Sequence, residues 1–155
     1  WAESKYSLLK IVEDGILIPP EAVDHNEKMK WLARAWDSLI ANEDRTQQNI
    51  LYTADWRMIL FDHSRAFRSG KKFSERLMFG RNGLKLSQKG EPWLFRRLPR
   101  WFVDKVEALT FESVKAAVGD ALKDKEIQAI IARRALLLGE IAQMVRERGE
   151  AEVIY

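Results

Sequence analysis

The chain has no cysteine among its 155 residues and only two histidines, His25 and His63. Disulfides and thiolate metal sites are therefore excluded, and a His-rich metal site has too few ligands; the missing thiols also fit a reducing compartment. No apolar run approaches the roughly 20 residues that a membrane-spanning helix needs, and the N-terminus lacks the basic-then-apolar order of a secretion signal. We therefore expect a cytoplasmic protein with no transmembrane segment. Internal repeats and low-complexity stretches are also missing, which argues against a solenoid or a disordered tail. Trp1 instead of Met at the first position leads us to expect a piece of something longer.

What is present suits one domain over 1–155. Apolar residues make up 46% and aromatics 10%, and a chain this long buries roughly 68–70% of its unfolded surface. Net charge is only +3, but it is unevenly spread. Residues 65–100 hold eleven Lys/Arg against Glu75 and Glu91, a net +9, so the rest of the chain sums to −6.

The opening residues 1–23 carry one weakly amphipathic patch and then Gly15 and Pro19-Pro20, which stop regular structure. They resemble the tail of a preceding element. Asp24 suits an N-cap, with Glu27 three residues on as a capping-box partner. From there Met29, Leu32, Ala33, Trp36, Leu39 and Ile40 recur at helical spacing, and Asn42 suits the left-handed residue that ends the helix. "NILYT" and "RMILF" are short branched and aromatic runs separated by Ala54-Asp55-Trp56, which predicts a β-hairpin. The basic segment 65–100 is broken by Gly70, Gly80, Gly83, Gly90 and Pro92, too often for long helices. Over 99–149 we expect C-terminal helices: Pro99 opens "RWFVDKVEAL", Thr110 caps "FESVKAAVGDAL", and Asp124 caps a long last helix. Ile127, Ile130, Ile131, Leu137, Leu138, Ile141 and Val145 mark its apolar face. The expected fold class is mainly α (α+β): a helical bundle with one small hairpin.

Three oxygen-bearing residues cluster around that hairpin. Asp44 and Asn49 stand five apart in the loop before it, and Asp62 ends its second strand. Mg²⁺ prefers such hard oxygen ligands, usually one or two carboxylates completed by phosphate and water. Phosphoryl transfer in turn needs little from a protein beyond in-line positioning and neutralisation of phosphate charge. An Asp followed five residues later by a metal-binding Asn is the spacing of a kinase catalytic loop. The same two residues also suit a polar turn whose side chains satisfy loop amides.

The surrounding residues, "AWDSLIANEDRTQQNILYTADWRMILFDHSRAF", resemble the catalytic core of the phosphoinositide-kinase-like and HipA-like kinases. Their pattern is an apolar helix ending in Leu-Ile-x-Asn-x-Asp-Arg, a metal Asn opening a strand, and an apolar strand ending in Asp-His with a Phe soon after. Leu39, Ile40, Asn42, Asp44, Arg45, Asn49, Asp62, His63 and Phe67 fill those places. The helical tail with Arg133-Arg134 and Gly149 also looks like the end of such domains. The resemblance implies a protein-kinase-like C-terminal lobe that uses ATP and Mg²⁺. In it Asp44 would orient or deprotonate an acceptor hydroxyl, Asn49 and Asp62 would hold Mg²⁺ against the ATP phosphates, and Arg45 would brace the loop. Relatives often carry a histidine after the Asp-Arg pair, where this chain has Thr46-Gln47. The glycine-rich loop and strand lysine of an N-terminal lobe do not precede Asp44, so the isolated fragment is expected to be inactive.

Alternatives remain open. The acceptor is a protein, lipid or small-molecule hydroxyl, acidic acceptors included. The runner-up reading is a kinase-derived binding or scaffolding module without chemistry. His63 reads as a local hydrogen-bonding residue. Trp31, Trp36, Trp56, Trp93 and Trp101 read as core or lobe-packing residues. The basic segment reads as a solvated loop, as a dock for an acidic partner or anionic membrane surface, or, least of all, as a nucleic-acid surface, since no recognised nucleic-acid-binding motif accompanies it.

Overall fold

The computed structural model describes residues 6–155. It is mainly helical with one small antiparallel sheet, so the coarse α+β class stands. A two-residue strand β1 (Tyr6–Ser7) leads into α1 (Leu8–Glu13), and a 3₁₀ turn at Pro20–Ala22 opens α2 (Val23–Ile40). After a loop come β2 (Ile50–Tyr52) and β3 (Met58–Leu60), then α3 (Lys71–Glu75), α4 (Arg100–Ala108), α5 (Phe111–Val118), α6 (Asp124–Arg148) and α7 (Glu150–Val153). The expected hairpin is present: Ile50 pairs with Leu60 and Tyr52 with Met58, while β1 adds a third strand beside β2. Among the described residues no helix is long and apolar enough to cross a membrane.

Two hydrophobic clusters hold these elements. The larger gathers Ala35 and Leu39 of α2, Leu77 to Phe79 of the basic segment, Phe102, Val103 and Val106 of α4, and the inner face of α6. Ile127, Ile130, Leu137 and Ile141 are buried, and Ile131, Leu138 and Val145 are half-buried against them, so the periodic face of α6 is its packing face. Each such side chain contributes about 1.5–3 kcal/mol through removal from water. The smaller cluster joins Ile11, Ala33, Tyr52 and Met58, with Leu8, Met29, Ile50, Trp56 and Leu60 packed on it. Helix α2 supplies both clusters and is the shared wall between them.

The caps partly follow expectation. Pro99 precedes α4, and Thr110 accepts from the Ser113 amide at 3.1 Å while the Ser113 hydroxyl takes the Thr110 amide at 3.0 Å. Asp24 is not an N-cap: Ala22 is, without a side-chain bond, and Asp24 sits in the first turn paired with Lys28 at 2.6 Å. There its charge still meets the positive end of the helix dipole. Asp124 is likewise inside its helix. Lys123 is the N-cap, and Glu126 reaches back to its amide at 2.7 Å. The left-handed residue after α2 is Ala41 (φ 48°), not Asn42, because Asn42 is wholly buried and used in bonding.

The tryptophans, expected as core or lobe-packing residues, divide into two groups. Trp31 and Trp56 pack against the cores, whereas Trp36, Trp93 and Trp101 are 38%, 44% and 55% exposed. Helical spacing put Trp36 on an apolar face, and that face is only partly covered.

Residues 65–100 keep seven of their eleven basic residues exposed, as a solvated face would, but Leu77 to Phe79, Phe95 and Leu98 of the same segment are buried. Only α3 is helical there, and the chain is turned tightly at Gly83, where a Cβ would lie 2.9 Å from the Gly80 carbonyl oxygen. Acids from elsewhere meet three of its eleven basic side chains: Arg68 meets Glu43, Arg81 meets Glu147 through two 2.6 Å bonds, and Arg100 meets Glu150. Arg76 donates to the Asn82 and Gly83 carbonyls, and Lys85 to that of Glu43.

Candidate functional site

The site is built from the end of α2 upward. Helix α2 stops at Ile40, and the buried Asn42 donates to Asp37 Oδ1 at 3.2 Å while its own Oδ1 accepts the Asp44 amide at 3.2 Å. That amide is fixed by a side chain, so the loop carrying Asp44 leaves the helix in a defined direction. Asn49 closes the loop, donating from Nδ2 to the Asp44 carbonyl oxygen at 2.8 Å. The ladder of the hairpin then continues one pair beyond Ile50 and Leu60, with the Phe61 amide donating to the Asn49 carbonyl at 3.2 Å. Asp62 follows directly.

Arg45 locks this arrangement from beneath. Its side chain is 6% exposed and binds Asp37 in bidentate fashion, Nε to Oδ2 at 2.9 Å and Nη2 to Oδ1 at 3.0 Å. Its Nη1 donates to the carbonyls of Asn49 (3.0 Å) and Phe61 (2.6 Å), the two residues that face each other across the hairpin. One guanidinium therefore ties together the helix, the loop and both strands. This is the bracing role expected of Arg45, and a charge-assisted bidentate pair is the strong form of such a contact. Asp37 is the residue that sequence reasoning missed: it lies on the apolar helix with no motif of its own, and only an acid at a buried helical position marks it.

Asp62 has left-handed backbone (φ 52°), which aspartate tolerates because its carboxylate can bond the chain just ahead. Here Oδ1 accepts the Ser64 amide at 3.2 Å and the Ser64 hydroxyl at 2.6 Å. Those bonds, with Arg45 and His63 nearby, hold the Asp62 carboxyl below its usual range, so it is ionised at neutral pH. His63 contacts Arg45 Nη2 at 3.0 Å, and burial together with that cation pushes its imidazole below 6.5. It serves the brace through a local hydrogen bond.

The structure thus brings Asp44, Asn49 and Asp62 to one end of the hairpin, with four side-chain oxygens left over. Among the described residues the Asp44 carboxylate, Asn49 Oδ1 and Asp62 Oδ2 accept no hydrogen bond. Two carboxylates and an amide oxygen are hard donors of the kind Mg²⁺ takes; among the described residues there is no group of three or more His, Cys, Asp or Glu that could hold a metal ion. No family model matches the chain, and neither a curated protein nor a solved structure matches it.

Proposed function

We propose that the chain is the C-terminal catalytic lobe of an ATP- and Mg²⁺-dependent kinase of the phosphoinositide-kinase-like or HipA-like type. The observation that carries this reading is the shared brace: Arg45 bonds the backbone at both Asn49 and Phe61, beside the four unbonded candidate-site oxygens. A polar turn needs no such support. Here a desolvated guanidinium preorganises the backbone from which Asn49 and Asp62 project, as electrostatic catalysis requires.

In this reading Asn49 Oδ1 and the Asp62 carboxylate hold the ion. Mg²⁺, when bound, would neutralise charge on the transferring phosphate. The Asp44 carboxylate, uncommitted to any other bond, accepts the proton of the acceptor hydroxyl. Asp37 and Arg45 are positioning residues. In the kinase families named above, a glycine-rich loop and strand lysine come from a separate N-terminal lobe, so the test uses the whole gene product. Phosphate transfer from MgATP should fall to background in Asp62→Asn, while the melting temperature stays near wild type because Asp62 is exposed and asparagine also suits its left-handed backbone. Equal turnover by both proteins removes Asp62 from the site. Failure of the whole product to bind MgATP in calorimetry favours the scaffolding module instead.

A further inference from the structure

The two hydrophobic clusters do not merge, and a groove of about 390 Å³ runs along the seam between them. Its walls come from α2 (Met29, Leu32, Ala33, Trp36), from Met58 and Leu60 of β3, and from Trp101, Phe102 and Val106 of α4. The one charged residue on the lining is Lys105, a turn beyond Trp101 on α4. Lys105 makes no hydrogen bond or ion pair among the described residues, whereas Arg100, earlier on the same helix, is paired with Glu150. Trp36 and Trp101, both lining the groove, keep 38% and 55% of their surface exposed.

We propose that this groove binds a single alkyl chain ending in an anionic head, with the chain between the walls and the head at the Lys105 ammonium. Three features select that chemistry. The volume lies within the roughly 300–1,000 Å³ of sites that bury small molecules. The walls offer no polar partner, so the amides of an extended peptide would be desolvated without bonds, at a few kcal/mol each. An alkyl chain has no such groups. Finally, among the described residues the only charge on the lining is positive and uncompensated, which favours a carboxylate or phosphate over a neutral or cationic head. The inference does not depend on phosphate transfer, although Leu60 in the groove floor stands two residues before Asp62.

Calorimetric titration of the full chain with laurate and dodecyl phosphate below their micelle concentrations, and with dodecanol below its solubility limit, tests the assignment. Saturable 1:1 binding of laurate or dodecyl phosphate is expected, with dodecanol about three- to fivefold weaker, the worth of a solvent-exposed ion pair. Preference for laurate identifies a free fatty acid as the natural source, and preference for dodecyl phosphate a phospholipid; either supports the site. Lys105→Gln should bring the anionic ligands down to the level of dodecanol. Trp101→Glu, at an exposed rim position, should cost at least tenfold for both anions with an unchanged melting temperature. Absence of saturable binding, or binding indifferent to both substitutions, overturns the proposal. So does a dimer that Trp101→Glu dissociates while no amphiphile binds, since the groove would then be covered by a second copy.

Discussion

Arg45 and Arg133 are both removed from water, and both spend donors on backbone carbonyls, yet only one has a counter-ion. Arg45 pairs with Asp37 and clamps the hairpin beneath the candidate site. Arg133, wholly buried on α6, donates to the carbonyls of Leu39 (2.8 Å), Arg68 (2.8 Å) and Phe73 (3.1 Å), and its Nη2 has no partner. Burial alone pushes its guanidinium down to about 10. The first arginine fixes where side chains of a site stand. The second pins three backbone segments, the end of α2 and both sides of the α3 entry, onto the last long helix. A charge can thus be held indoors by one carboxylate or by several oriented carbonyls, and the two devices should break differently.

The largest effect is expected from Asp37→Ala, which strands Arg45 without its partner. Stability should fall by about 3–5 kcal/mol in urea unfolding, the usual cost of half-breaking a buried pair. Replacing both, Asp37→Leu with Arg45→Met, should recover much of that loss while abolishing any MgATP binding by the whole gene product. Arg133→Met comes next. It orphans three carbonyls but also relieves an unpaired buried charge, so a net loss of about 1–3 kcal/mol is expected. If it costs as much as Asp37→Ala, the counter-ion is not what separates the two regions.

The smallest effect concerns His63, which touches the paired arginine. Its folded pKa lies below 6.5, so between those values the unfolded chain binds the proton more readily. Stability should therefore be level above about pH 6.5 and decline as pH falls through the window below it. Chemical denaturation across pH 5–7.5 should show that slope in the wild type and a flatter profile in His63→Gln. An equal slope in both locates the titration elsewhere.

Much of this was legible residue by residue. The repeat from Met29 to Ile40 made α2, Pro99 and Thr110 marked the starts of α4 and α5, and two branched runs around Ala54-Asp55-Trp56 made the hairpin. Asp44, Asn49 and Asp62 stand out as candidates by their spacing together with the kinase-like residues around them, and the ladder bond at Asn49 and Phe61 brings them to one end. Cap positions slipped by one or two residues at Asp24, Asn42 and Asp124. Acids near a helix start are favoured in the first turn as well as at the cap, so composition alone does not choose between them.

The sequence by itself determined the helical content, the hairpin and the chemical identity of the site residues, because periodicity, capping and turn chemistry act within a few residues of chain. Only the tertiary structure decided which charges answer which. Arg45 finds Asp37 eight residues back, Arg81 finds Glu147 sixty-six residues on, and Arg133 finds Leu39 ninety-four residues back. It also decided that the faces of α2 and α4 leave a groove where helical spacing alone predicts core. Contacts at such separations follow from how whole elements pack, and no local pattern encodes them.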